Sequence, residues 1–124
     1  MLKTQLLLLA ALLAIGIGVL HSVLGERFIL ARLFRSDSLP KLYGSTVFTQ
    51  RVLRFAWHLT SIAWWGFAVI LAQLAWGRAS ASDVAATVGA TFVITALVTA
   101  LASRGRHFAW PVFALIGAIS LWAA

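Results

Sequence analysis

The sequence predicts an all-α membrane protein: a four-transmembrane-helix antiparallel bundle with a short interfacial helix in its first loop. Hydrophobic residues make up 62% of the 124 positions and charged residues only 10%, against roughly 25% charged in soluble domains. The chain also contains four apolar stretches, and its basic residues cluster beside alternate ends of them. So few polar groups could not cover a core in water, whereas lipid allows apolar side chains to face outward.

The four apolar stretches predict a single transmembrane domain over residues 1–124. A helix needs about 20 apolar residues to cross a hydrocarbon core roughly 30 Å thick. We predict helices at about 6–24, 46–76, 84–102 and 108–124. The last is near the short limit and carries Pro111 in its first turn, where a missing N–H is tolerated. Ser82 or Asp83 is the predicted N-cap of the third helix.

The long first loop contains a pattern of its own at about residues 27–35. Ile29, Leu30 and Leu33 fall on one helical face, whereas Arg32 and Arg35 fall on the other. Such a segment is typical of a short amphipathic helix that lies among lipid headgroups. We therefore predict an interfacial helix there.

The distribution of charge predicts the orientation in the membrane. Ten Lys and Arg residues stand against three acidic ones, for a net charge of +7. Eight of the ten lie in or beside the first and third loops, and only Lys3 and Arg78 lie on the other side. The positive-inside rule then places those loops in the cytoplasm and both termini outside. Positive charge beside apolar spans fits anionic lipid headgroups rather than nucleic acid, so the expected partner is the lipid bilayer.

Small and hydroxyl residues predict how the helices pack. Lipid gives no hydrophobic drive for helix association, so close contact through small side chains matters. The first helix has a small-residue stripe at Ala11, Ala14, Gly18, Ser22 and Gly25, and the third has threonines at 87, 91, 95 and 99. The threonine ladder is interpreted as packing surface, since its hydroxyls can bond to the preceding turn. A compact bundle is the predicted result.

Two histidines are predicted to lie at a common depth within the bundle. His21 stands three residues before the first apolar stretch ends at Leu24, and His58 three residues after the second begins at Phe55. Because these helices run in opposite directions, both imidazoles should lie in the cytoplasmic leaflet. Ionisable groups inside a span are costly and point to function by default.

A polar seam on the second helix is predicted to face His21. Arg51, Arg54, His58 and Ser61 recur on one helical face, and Glu26 would come level with the two arginines. Because arginine favours bidentate carboxylate partners, we expect an ion pair there.

Three interpretations of this cluster remain open. In the first, the cluster is structural and the protein is a non-enzymatic accessory or scaffold subunit. In the second, His21 and His58 ligate a haem iron axially, which would make the protein an electron carrier. The residues that would hold this cofactor are His21, His58, Arg51, Arg54, Gly18 and Ser61, with Gly18 leaving room for the porphyrin and the arginines holding propionates.

The third interpretation is a ligand site. His21, His58 and Glu26 could bind a metal ion or a small ligand, or the arginines could hold an anionic lipid headgroup. A proton- or ion-coupled transporter is disfavoured because no Asp or Glu lies inside a span. No catalytic nucleophile signature is present, since Ser22 directly follows His21 and adjacent helical residues do not face each other. Without cysteine, thiolate chemistry and disulfides are excluded.

The first half of the chain contains the strings His21-Ser22-Val23-Leu24-Gly25-Glu26 and Arg54-Phe55-Ala56-Trp57-His58-Leu59. These strings resemble a group of small four-helix membrane proteins of bacteria, and the likeness extends through Gly66. The resemblance implies a bacterial inner-membrane location and no particular activity. The chain's apolar surface makes association with other membrane subunits, or with a second copy, a further expectation.

Overall fold

The computed structural model describes all 124 residues as four helices joined by loops, with no strand. The helices are α1 (Leu2–Leu33), α2 (Val47–Ala75), α3 (Ala81–Ser103) and α4 (Ala109–Trp122). The first three are each long and apolar enough to cross a membrane. The 14 residues of α4 extend about 21 Å at 1.5 Å per residue, which is less than the roughly 30 Å of a hydrocarbon core.

Helix α1 continues past the end predicted from the sequence. Its α-helical part, Leu2–Leu24, passes into a π-helical segment, Gly25–Leu30, and ends with the turn Ala31–Leu33. Gly25 keeps right-handed helical angles (φ −61°, ψ −49°), so it does not end the helix. The prediction of a separate interfacial helix at 27–35 is therefore wrong, because a π segment carries the backbone hydrogen bonds through this stretch.

The first and third loops lie at the same end of the molecule. The guanidinium of Arg106, in the third loop, lies 5.8 Å from the ring centroid of Tyr43 in the first. The imidazole of His107 meets the ring of Phe55 edge-on at 5.2 Å. We call this the basic end, since eight basic residues belong to these loops and the adjoining helix ends: Arg27, Arg32, Arg35, Lys41, Arg51, Arg54, Arg104 and Arg106.

Helix α3 begins with a capping box. The Ser80 hydroxyl accepts a hydrogen bond from the Asp83 backbone N–H at 3.1 Å, and the Asp83 carboxylate accepts one from the Ser80 N–H at 3.1 Å. The N-cap is thus Ser80, not Ser82 or Asp83 as predicted. Asp83 stands at the third helical position, where an acidic side chain can reach back to the cap.

The threonine ladder of α3 lies in helix contacts, as the sequence predicted. Thr95 and Thr99 are buried. Thr91 packs where a side chain at Gly66 of α2 would stand, since a Cβ there would lie 2.6 Å from the threonine hydroxyl. The hydroxyls of Thr87 and Thr91 donate to backbone carbonyls four residues earlier. Thr87 and Thr91 therefore satisfy their own hydroxyls while α2 and α3 approach, whereas the buried Thr99 hydroxyl has no hydrogen-bond partner.

The helices pack in chain order, as an open row. α1 contacts α2, α2 contacts α3, and α3 contacts α4, whereas no Cα of α1 comes within 8 Å of α3 or α4. This differs from the compact bundle predicted from the sequence. The small-residue stripe of α1 packs against α2 alone, and the other faces of α1 carry exposed leucines and isoleucines. Only 14 of 124 residues are buried, so most apolar side chains are at least partly exposed.

Candidate functional site

The predicted polar residues meet along the contact between α1 and α2, which we call the α1–α2 seam. From one end to the other, the hydrogen-bonded pairs are Ile15 with Trp65, Gly18 with Ser61, His21 with Trp57, and Glu26 with Arg54. Residue numbers rise along α1 as they fall along α2, so the two helices run in opposite directions. The seam ends at the basic end.

His21 and His58 lie at the same height in the seam, in agreement with the prediction from their spacing. His21 bonds to Trp57, the residue before His58, and His58 bonds to Ser22, the residue after His21. The two imidazoles nevertheless bond to different partners. Each ring is held by the helix opposite its own.

Glu26 is the acidic centre of the seam and pairs with Arg54, one of the two predicted arginines. Its Oε1 lies 2.8 Å from Arg54 Nη2, and its Oε2 accepts from Arg54 Nε at 3.2 Å, a bidentate arrangement. His58 Nε2 lies 3.3 Å from the same Oε2. Arg51 forms no side-chain hydrogen bond or ion pair, so the predicted pairing is with Arg54 alone. The Arg54 and Glu26 side chains are 50% and 39% exposed, and such pairs contribute at most about 1 kcal/mol.

Two serines extend the polar contact into the buried part of the seam. His58 Nδ1 lies 2.9 Å from Ser22 Oγ, which lies 2.7 Å from Ser61 Oγ. Ser61 in turn donates to the Gly18 carbonyl at 2.7 Å and has no exposed surface. The seam therefore contains a continuous chain of hydrogen bonds from Glu26 to the backbone of α1.

His21 forms a reciprocal contact with Trp57. The Trp57 indole donates to the His21 carbonyl at 2.9 Å, while His21 Nε2 donates to the Trp57 carbonyl at 3.2 Å. The two rings stack with centroids 4.6 Å apart and planes 2° from parallel, and Trp64 meets His21 edge-on at 5.1 Å. The imidazole is thus a packing element of the seam.

Two tryptophans of α2 fill the space beside two glycines of α1. A Cβ at Gly18 would lie 2.5 Å from Trp65 Nε1, and one at Gly25 would lie 1.9 Å from Trp57 Nε1. The sequence predicted the small-residue stripe and a facing seam on α2, but not that these two indoles lie against the glycines, and it missed Ser22 as a member of the polar chain. The spacing could have indicated these contacts, because Trp57, Ser61 and Trp65 recur every four residues. On an antiparallel neighbour they face, in that order, Gly25, Ser22 and Gly18.

The observed packing does not accommodate a haem between α1 and α2. The space beside Gly18, which was expected to receive the porphyrin, is occupied by the Trp65 indole. His21 Nε2 is engaged by Trp57, and both nitrogens of His58 are engaged by Ser22 and Glu26. Axial ligation would require these bonds to break and the helices to separate.

The predicted metal site is wrong for this arrangement. No group of three His, Cys, Asp or Glu side chains is placed to hold a metal ion. His58 and Glu26 are adjacent, but His21 turns toward Trp57 and Trp64 instead of joining them. The third ligand is therefore missing because the tryptophan contacts hold its ring elsewhere.

Comparison of the chain with protein-family models, with curated proteins and with solved structures gives no match. The resemblance to small bacterial membrane proteins stays a prediction.

Proposed function

We propose that this protein is a non-enzymatic accessory or scaffold subunit of the bacterial inner membrane. The observation that carries the proposal is that the polar atoms of the α1–α2 seam bond to one another. His21, His58, Ser22, Ser61, Glu26 and Arg54 all have partners within the chain. Polar groups that bond in this way hold the two helices together.

The exposed surface of α1 supports the scaffold part of the proposal. This helix contacts α2 and neither of the other helices, and its remaining faces are almost entirely apolar. Leu12 and Leu13 are 66% and 64% exposed. Lipid satisfies such a surface, and so does an apolar helix of another membrane subunit or of a second copy.

We further propose that the helices form an antiparallel arrangement across the bilayer with both termini outside. The charge asymmetry supports this orientation, because Lys and Arg in short loops concentrate on the cytoplasmic side. In the proposed orientation, arginines of the basic end contact anionic lipid headgroups. The short α4 would then cross the bilayer where the hydrocarbon core is locally thinned to match its length.

The orientation predicts which loops are accessible from outside the cell. The chain contains no cysteine, so a single introduced cysteine is the only thiol in the chain that can be labelled. We expect Ala79→Cys, between α2 and α3, to react with a membrane-impermeant maleimide on intact cells. Asp37→Cys, in the first loop, should react only after the membrane is opened. The reverse pattern would contradict the proposed orientation.

The scaffold proposal predicts that the purified protein carries no chromophore and no stoichiometric metal. We expect the visible absorption spectrum in mild detergent to lack a Soret band, and elemental analysis to give well below one metal ion per chain. A Soret band in the wild type that disappears in His58→Ala would instead establish the haem-binding alternative and refute the structural role of the seam. The control for His58→Ala is Arg78→Ala, because Arg78 lies in the loop between α2 and α3, away from the basic end.

A further inference from the structure

Four hydrogen bonds in the α1–α2 seam form one chain whose directions can be counted. The chain runs from the Gly18 carbonyl to Ser61 Oγ (2.7 Å), Ser22 Oγ (2.7 Å), His58 Nδ1 (2.9 Å) and, through His58 Nε2, to Glu26 Oε2 (3.3 Å). Each serine hydroxyl has a single hydrogen to donate. The position of every hydrogen in the chain therefore follows from its two ends.

The backbone end sets the direction of the first three bonds. A carbonyl only accepts hydrogen bonds, so the Ser61 hydroxyl donates its hydrogen to the Gly18 carbonyl. The bond between the two hydroxyls must then use the hydrogen of Ser22. Ser22 has only lone pairs left for His58, so Nδ1 of His58 must carry a hydrogen.

The carboxylate end requires a second hydrogen on the same ring. An ionised carboxylate only accepts, so the contact between His58 Nε2 and Glu26 needs a hydrogen on Nε2 as well. Arg54 bonds to both oxygens of Glu26, which is the bidentate geometry that a guanidinium forms with an ionised carboxylate. The extra hydrogen therefore resides on the imidazole.

We infer that His58 and Glu26 form a proton-binding site, and that the bound proton completes the chain that fastens α1 to α2. With a neutral His58 beside an ionised Glu26, one of the four bonds lacks a hydrogen. The chain is complete when the ring carries both hydrogens and lacks one bond when the proton has left. This site follows from bond directions within the seam and does not depend on the scaffold function proposed above.

The other charged and titratable groups near the site do not bond to His58. On α1, His21 stacks on Trp57. On α2, Arg51 forms no side-chain bond, whereas Arg54 bonds to Glu26. From the loop between α3 and α4, His107 packs against Phe55 and Phe108. Only Glu26 bonds to His58 as a charged partner.

Two variants separate the proton-binding site from a merely structural histidine. In Glu26→Gln, the amide can donate to Nε2, so a neutral His58 with its hydrogen on Nδ1 completes the chain. In Ser61→Ala, Ser22 no longer has to donate to Ser61 and can donate to Nδ1, so a neutral His58 with its hydrogen on Nε2 completes what remains. The two variants are therefore expected to hold the neutral ring in opposite tautomers.

The test is nitrogen NMR of the full chain with ¹⁵N-labelled histidine rings, recorded over about pH 5 to 8, where histidine ordinarily changes charge. His58→Gln identifies the His58 signals. His107 is an internal reference, because its Nδ1 accepts from the Ala109 N–H at 3.2 Å and its hydrogen therefore lies on Nε2. The indole N–H signals of Trp57 and Trp65 report whether the seam is intact.

We expect wild-type His58 to bond to Ser22 and Glu26 together only while both ring nitrogens carry hydrogens. The neutral ring should carry its hydrogen on Nδ1 in Glu26→Gln and on Nε2 in Ser61→Ala, while His107 stays unchanged. The same tautomer in both variants would overturn the proposal. If Ser61→Ala loses the indole signals of the seam, Glu26→Gln decides alone: its neutral ring must carry the hydrogen on Nδ1, and the opposite tautomer would overturn the proposal.

Discussion

Gly25→Leu is expected to separate α1 from α2 at the basic end and to lower the free energy of unfolding by about 3 kcal/mol. A Cβ at this position would lie 1.9 Å from Trp57 Nε1 and 2.3 Å from Cε2 of the same ring. The indole cannot simply turn away, because it stacks on His21 and donates to the His21 carbonyl. Relief of the clash therefore breaks the reciprocal contact between the two residues.

Gly16→Leu is the matched control for this substitution. Gly16 lies in the same helix, and a Cβ there would meet nothing within 4 Å. Its exchange should change stability by about 0.5 kcal/mol or less. Unfolding by titration with denaturing detergent, followed by tryptophan fluorescence, measures both. Equal losses in the two variants would show that Gly25 is not a contact between the helices.

Ser61→Ala is expected to lower the free energy of unfolding by about 1–3 kcal/mol. The hydroxyl is fully buried, donates to the Gly18 carbonyl and bonds to Ser22. Its removal deletes both links between the helices, although Ser22 can still bond to His58. Thr60→Val is the control, because Thr60 neighbours Ser61, forms no side-chain hydrogen bond and also loses only a hydroxyl. Titration with denaturing detergent compares the two, and a loss for Thr60→Val as large as for Ser61→Ala would contradict the assigned role.

Much of the α1–α2 seam could be predicted from the sequence because helical periodicity fixes which residues share a face. The small-residue stripe identified the side of α1 that meets α2. The distances of His21 and His58 from the ends of their apolar stretches gave their common height. The pairing of Glu26 with Arg54 followed from the same register.

The details that the sequence did not give depend on contacts between helices. Glycine often ends a helix, yet Gly25 is helical here, so α1 continues through a π segment that no local pattern indicated. Helical geometry keeps Ser22 from facing His21, but it does not show that Ser22 faces Ser61 and His58 on the neighbouring helix. The expected haem and metal sites required the His21 ring to face His58, and the contacts with Trp57 and Trp64 turn it elsewhere.

The arrangement of the helices as an open row could not be predicted from the sequence either. The small residues of α1 and the threonines of α3 predicted that helices approach closely but not which pairs would do so. In the structure, Gly66 of α2 receives Thr91 of α3, while Gly117 of α4 approaches the backbone of Gly89. Each close approach joins neighbours in the chain, so α1 and α4 stay apart.

The central claim is that the hydrogen bonds of the polar cluster hold α1 against α2. Its most direct test is a solid-state NMR measurement in lipid bilayers of the dipolar contact between the His58 ring nitrogens and the labelled side-chain carbons of Glu26 and Ser22. We predict that Nε2 contacts the Glu26 carboxyl carbon and Nδ1 contacts the Ser22 Cβ within one molecule. A protein in which His58 lacks both contacts, with its ring directed to lipid or to a bound group, would contradict this account.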